Sequence, residues 1–120
     1  MPLTVTALDD AELKVLDGLA ADVDDSARDE RLLARRLRAI RASRAKGRSW
    51  EDILSHESSP GTMELTSRVL RGITRASGAI RRTVARGLHA NGATIAAIAE
   101  RFGVSRQRVS ALLRRRREDG

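Results

Sequence analysis

The sequence predicts an all-α fold, a small multi-helix domain. Its composition favours helices, being rich in Ala, Leu and Arg, and prolines occur only at Pro2 and Pro60. Apolar residues recur at steps of three and four over most of the chain, which is the period of an amphipathic helix. No stretch alternates long enough to predict a strand. With 120 residues, the chain can bury one modest core or two small helical units.

The first third of the chain predicts two helices. One covers residues 9–22, and the run from Asp22 to Asp25 is interpreted as a linker. The other begins near Ser26 and ends at about Lys46, where Gly47 is a natural stop. The apolar faces of these helices are Leu13, Leu16, Leu19 and Ala20 in the first, and Leu33, Leu37 and Ile40 in the second.

The middle of the chain predicts a short capped helix and then a long helical pattern. Ser49 is placed to cap the short helix, and we expect Trp50 to be a core residue. Residues 55–61 form a polar loop. The pattern from about 63 to 90 is either one helix or two, and Gly78 favours a break. Its apolar stripe, a candidate dimer surface, is Leu65, Val69, Ile73, Ala76, Ile80, Val84 and Leu88.

Residues 95–114 meet the requirements of a helix-turn-helix, which packs two short helices at a steep angle. Gly103 supplies the residue in the turn that tolerates positive φ, and Ala99 is small where the helices touch. Thr94 can cap the first helix and Ser105 the second. The alternative is a plain helical hairpin in an all-α core. The apolar residues that would join the two helices are Ile95, Ile98, Phe102, Val104, Val109 and Leu112.

The run from Phe102 to Ser110 resembles the DNA-binding element of bacterial helix-turn-helix families. It is similar to sigma-factor region 4 and to the C-terminal domain of serine recombinases. The large excess of Arg over Lys is typical of a high-GC genome. The resemblance implies double-stranded DNA as the partner and a role in transcription regulation. Only three residues follow the basic run Arg114–Arg117, which leaves no room for a β-hairpin wing, so we expect a non-winged motif. Contact with RNA polymerase, or an accessory role in DNA packaging or recombination, are the alternatives.

The helix-turn-helix places its second helix, here about residues 105–115, in the major groove with the first residues at base edges. Arg can bind guanine with two hydrogen bonds, and Gln can do the same with adenine. The predicted base contacts are Ser105, Arg106, Gln107, Ser110 and Ala111. The predicted phosphate contacts are Thr94, Arg101, Arg108, Arg114 and Arg115.

Charge is distributed unevenly along the chain. The formal net charge is +7, but residues 1–30 carry nine acids and two bases, whereas residues 31–120 carry 21 bases and seven acids. A basic region of this size favours polyanion binding that weakens with salt. The acidic segment is interpreted as a solvated helix face; restraint of DNA binding or contact with another protein is the alternative.

Several other classes of function are disfavoured. The chain has no Cys, and His56 and His89 lie far apart, so we expect no disulfide, no metal site and no cofactor. We find no phosphate-binding loop, paired carboxylates or Ser-His-Asp set, and expect no enzyme activity. Because the sequence shows neither a signal peptide nor a membrane span, we expect a cytoplasmic protein of the nucleoid.

The predicted organisation has three parts: an acidic helix and linker at 1–25, a helical unit at 26–78, and a helix-turn-helix domain at 79–117. A weak repeat at an offset of 45 residues aligns Gly47 with Gly92 and Ser49 with Thr94. Residues 36–72 could therefore be a degenerate second motif, with Arg68 and Arg71 as its DNA contacts. We expect a homodimer, unless two motifs in one chain read a bipartite site.

Overall fold

The computed structural model describes residues 10–114, which form five helices and no strand. The all-α prediction is confirmed. None of these helices is long and apolar enough to cross a membrane. The chain divides between Ala76 and Ser77 into an N-terminal unit, described from residue 10, and a C-terminal unit, described to residue 114. The helices are α1 (Asp10–Ala45), α2 (Trp50–Ser55), α3 (Thr62–Ala90), α4 (Ile95–Phe102) and α5 (Arg106–Arg114).

Helix α1 is a single helix of 36 residues, so the predicted linker at Asp22–Asp25 is wrong. Asp is only a modest helix destabiliser, and the run holds no Gly or Pro that would stop the helix. Tertiary packing also supports the helix directly after this run. Ser26 is buried, and a Cβ added to Gly72 of α3 would lie 2.8 Å from its Oγ. Gly72 therefore permits the close approach of α1 and α3.

Helix α3 is also continuous over 29 residues, so the predicted break at Gly78 is wrong. A helical glycine costs about 1 kcal/mol relative to alanine, which a long, packed helix can absorb. The predicted apolar stripe does not form one surface. Leu65 and Ala76 are buried, whereas Ile73, Ile80 and Val84 are exposed. The stripe as predicted is therefore not a continuous dimer surface, because some of its residues belong to the core.

Each helix of the N-terminal unit contributes a buried apolar residue: Ile40 from α1, Ile53 from α2 and Leu65 from α3. Trp50 does not join them and is 54% exposed, so its prediction as a core residue is wrong. Its ring instead lies beside Arg44, whose guanidinium carbon is 5.5 Å from the ring centroid. Helix α2 has only six residues and buries Ile53 alone, which leaves Trp50 at its first position outside the core.

A nearly buried carboxylate ties the α2–α3 loop to both long helices. The Glu57 side chain, 12% exposed, lies 3.2 Å from Nη1 of Arg36 in α1. It also accepts the backbone N–H of Thr62 at 3.0 Å and the Thr62 hydroxyl. The Thr62 hydroxyl, its N–H and the Arg36 guanidinium together hold the pKa of Glu57 below its ordinary value. The ionised form of Glu57 is therefore part of the fold.

Two stretches 45 residues apart repeat the same helix end and the same capped helix start. Gly47 and Gly92 have positive φ, 91° and 101°. Their N–H groups donate to the carbonyl three residues earlier, at 2.9 and 3.0 Å. The side-chain oxygens of Ser49 and Thr94 each accept the N–H three residues later, both at 3.0 Å. The predicted repeat is present in the backbone.

The two copies differ beyond this point. Leu65 of α3 and Val109 of α5, each the fourth residue of its helix, are both fully buried. However, the first turns of α3 expose Met63 and Leu70, at 70% and 66%. Arg68, a predicted DNA contact of the first copy, lies 3.6 Å from Asp29 and 3.8 Å from Glu64. Arg71, the other predicted contact, is exposed, and DNA contact by this copy stays a prediction.

We expect Glu57→Gln to lower the free energy of unfolding at neutral pH by about 1–3 kcal/mol, because the amide loses the charge-assisted bonds. The pKa of Glu57 is lower in the folded than in the unfolded protein. Its contribution to stability is therefore complete above the unfolded-state pKa of about 4.3, and it is lost as the pH falls through the folded-state pKa. Acid should therefore destabilise the wild type more than the variant. Urea unfolding followed by circular dichroism from neutral to acidic pH measures both effects.

The matched control is Glu64→Gln, since this carboxylate is 58% exposed. It should change stability by less than about 0.5 kcal/mol. If Glu57→Gln keeps the acid dependence of the wild type, the proposed contribution of ionised Glu57 is wrong.

Candidate nucleic-acid interface

Helix α4 begins at a capped N-terminus. The Thr94 Oγ1 accepts the N–H of Ala97 at 3.0 Å, and the Thr94 carbonyl accepts the N–H of Ile98 at 3.0 Å. The predicted cap is confirmed. Thr94 is exposed and stands where the helix dipole and free N–H groups favour an anion. Arg101, also exposed, follows two turns later, about 10 Å along the helix axis.

The turn between α4 and α5 depends on a left-handed glycine. Gly103 has φ 69° and ψ 34°, and it ends α4. Its N–H donates to the Glu100 carbonyl at 3.3 Å, and the N–H of Val104 donates to the Ala99 carbonyl at 3.1 Å. This pattern is a Schellman-type ending, which satisfies the last carbonyls of the helix. The prediction that Gly103 supplies positive φ in the turn is confirmed.

Helix α5 begins directly after this turn. The Ser105 Oγ accepts the N–H of Arg108 at 3.0 Å, and its carbonyl accepts the N–H of Val109 at 3.2 Å. Ser105 is therefore the N-cap, as predicted. The hydroxyl uses an oxygen lone pair in this bond, so its proton remains able to donate to an acceptor on a ligand.

The inner face of α5 is fixed by the core of the C-terminal unit. Val109 and Leu112 are 0% and 4% exposed, and their predicted inward orientation is confirmed. Ala99 lies in the same buried cluster, as expected for a small residue between the helices. Burial of this face determines which side chains of α5 point outward. The cluster consists of Ala85, Ile98, Ala99, Val109 and Leu112, with Leu88, Ala93, Ile95, Phe102, Val104 and Leu113 packed around it.

The outer face of α5 brings together most of the predicted base contacts. Arg106 and Gln107 are exposed in its first turn. Ser110 and Ala111 follow one turn later on the same side and are half-buried. Arg114, predicted to contact phosphate, lies on this side too and is exposed. Arg108 is exposed but lies at the edge of this face, and Arg115 is outside the described residues.

The C-terminal unit is strongly basic. Residues 77–114 contain seven Arg and one Glu. Within the described residues, none of its exposed Arg side chains forms a salt bridge: Arg81, Arg101, Arg106, Arg108 and Arg114. Arg81, in α3, was not among the sequence-predicted contacts, because it lies outside the motif and only the regional excess of Arg indicates it. These cations give the unit a field that attracts polyanions.

Comparison with known proteins supports a helix-turn-helix. Residues 75–120 match a family described as a homeodomain-like domain. The match spans the end of α3 together with α4 and α5, which is less than half of the chain. No curated protein and no solved structure matches the chain. The C-terminal region is therefore similar to a homeodomain-like domain, and its two short helices joined by a tight turn have the arrangement of a helix-turn-helix.

We expect Gly103→Ala to destabilise the C-terminal unit by about 1–2 kcal/mol, because an L side chain is strained in the left-handed region. Gly78→Ala is the matched control in the same unit. Gly78 is helical, and a Cβ there would meet only the flexible end of Arg82, at 3.3 Å. This control should stabilise by about 0.5–1 kcal/mol. Thermal unfolding by circular dichroism measures both; equal effects would contradict the assigned turn.

Proposed function

We propose that the protein binds double-stranded DNA sequence-specifically and regulates transcription. The observation that carries this proposal is the first turn of α5. Arg106 and Gln107 are exposed there, while Val109 and Leu112 of the same helix are buried. A short helix held in this way presents a fixed set of polar side chains to the major groove. The family match at 75–120 supports DNA binding.

In the proposed complex, Arg106 binds O6 and N7 of a guanine, and Gln107 binds N6 and N7 of an adenine. The proton of Ser105 donates to a base acceptor near the start of α5. One turn further, the Ser110 hydroxyl reaches a base edge and the Ala111 methyl contacts a thymine methyl. Each bidentate pair supplies about 1–3 kcal/mol of discrimination against the wrong base.

The phosphate contacts fix the orientation of the domain on the duplex. We assign them to Thr94 and Arg101 of the first helix, and to Arg108 and Arg114 of the second. Arg115 follows Arg114 in the sequence and is assigned the same role. Counterions released at these sites make binding strongly dependent on salt.

We further propose that the protein acts as a homodimer at the nucleoid. One recognition helix of nine residues contacts few base pairs, and two copies on half-sites about 34 Å apart increase both affinity and specificity. The likeness to sigma region 4 and to serine recombinases stays a prediction, as does contact with RNA polymerase. Co-purification with polymerase would test the latter.

Selection from random duplex DNA at roughly physiological salt tests the proposal, with sequencing of the retained fraction. We expect an enriched motif with two-fold symmetry. An asymmetric motif would contradict the dimer and favour two reading units in one chain. Retention without sequence preference would contradict specific readout and indicate an architectural role, and no retention would contradict DNA binding.

Side-chain variants separate the two kinds of contact. Arg106→Ala and Gln107→Ala should each relax preference at a single position, at a cost of about 1–3 kcal/mol. Arg101→Ala should instead weaken binding to all sequences and reduce the slope of log K against log salt by about 1. Arg35→Ala, an exposed Arg of the N-terminal unit, is the control for loss of charge. Uniform weakening by Arg106→Ala would contradict its role in base reading.

A further inference from the structure

Acidic and basic residues occupy different halves of helix α1. Residues 10–30 contain eight acids and two bases. Residues 31–45, the rest of the helix, contain six Arg and no acid. A helix with opposite charges on its two halves is complementary to a second copy that runs in the opposite direction.

An apolar stripe runs along α1 beside this charge pattern. It follows the alternating steps of three and four residues of a coiled-coil seam. Its large members are exposed: Leu13, Leu16, Val23 and Leu37 have 43%, 46%, 46% and 52% of their surface accessible. One charged residue, Glu30, interrupts the stripe near its middle. In order, the stripe is Leu13, Leu16, Ala20, Val23, Ala27, Glu30, Ala34 and Leu37.

The two edges of the stripe have different environments. One edge faces the N-terminal unit and includes the buried Ser26 and Ile40. The other edge carries a charged residue every seven positions, and all four are exposed: Asp17, Asp24, Arg31 and Arg38. Within the described part of the chain, none of these four forms a salt bridge. The stripe and its charged edge therefore lie away from the core side of α1.

We propose that α1 pairs with α1 of a second copy in an antiparallel coiled coil. In an antiparallel coiled coil, equivalent edges of the two helices face each other, so the edge that carries Asp17, Asp24, Arg31 and Arg38 lies against its own copy. Asp24 of one copy then lies beside Arg31 of the other, and Asp17 beside Arg38. Two-fold symmetry repeats each contact, which gives four ion pairs between copies.

The parallel arrangement lacks these pairs. A parallel pair places the charged edge of each helix against the edge of its partner that faces the N-terminal unit. That edge holds no charged residue at its heptad positions, which are Leu19, Ser26, Leu33 and Ile40. The parallel pair also puts the acidic half of one copy beside the acidic half of the other, which is repulsive. In the antiparallel register, Glu30 of each copy falls next to the two-fold axis opposite Ala27. A single polar residue in such a seam restricts register at some cost in stability.

This inference rests on the proposed function in one respect: it names the surface that would join two DNA-binding copies. Its test uses the full chain without DNA, so its failure is distinct from failure of DNA binding. Sedimentation velocity over a concentration series gives the dimer dissociation constant. The wild type should dimerise, and a wild type that remains monomeric at the highest concentration would overturn the proposal.

Charge reversal tests the register. Asp24→Arg and Arg31→Asp should each weaken the dimer about tenfold or more, because each places like charges together twice. The double variant Asp24→Arg/Arg31→Asp should restore association to near the wild-type value. Arg35→Asp, an equal charge change away from the stripe, is the control. Single reversals that match the control, or a double variant that stays weakened, would overturn the pairing. If either single variant loses helicity, Asp17→Arg and Arg38→Asp provide an independent cycle.

Cross-linking tests the direction, and the chain offers a clean background because it has no Cys. In the variant Ala20→Cys/Leu37→Cys, the two thiols of one copy are about 25 Å apart along the helix and cannot bridge. Mild oxidation should give an interchain disulfide that joins position 20 to position 37. Disulfides that join 20 to 20 or 37 to 37 would show a parallel pair and overturn the proposal, as would the absence of any interchain disulfide.

Discussion

The C-terminal unit depends on the burial of one face of two helices that are too short to persist alone in water. Helices α4 and α5 have eight and nine residues, below the length at which isolated helices hold together. They are stable because Ile98, Val109 and Leu112 are buried in one cluster with Ala85 of α3. The outward direction of Arg106 is therefore set by the buried residues on the opposite face of α5.

Local signals in the sequence predicted the backbone of α4, the turn and α5 well, because each signal acts within a few residues. Thr94 and Ser105 cap the nearest N–H groups, and Gly103 adopts a conformation that other residues resist. Predictions that depended on tertiary packing were less successful. Gly78 lies within an unbroken helix, and Trp50 lies outside the core. The exposure of Trp50 and the continuity of α3 depend on how the helices pack, which the spacing of apolar residues does not report.

The repeated turn shows how one backbone arrangement can serve different surfaces. The hydrogen bonds around Gly47 and Gly92 are nearly the same, and so are the caps at Ser49 and Thr94. The residues that follow decide what the next helix presents: apolar Met63 in one copy, and charged Arg106 in the other. Geometry alone therefore does not identify a DNA-reading helix, and the exposed side chains must be considered with it.

The position of Trp50 makes it an intrinsic fluorescence probe of the N-terminal unit. The chain has one Trp and no Tyr, so its intrinsic fluorescence comes entirely from the N-terminal unit. The indole is half exposed and lies beside the Arg44 guanidinium, so its emission responds when the junction of α1 and α2 opens. The C-terminal unit has neither Trp nor Tyr, so it does not contribute to the tryptophan emission. Emission and helical ellipticity recorded on one sample therefore reveal whether the two units melt together or in succession.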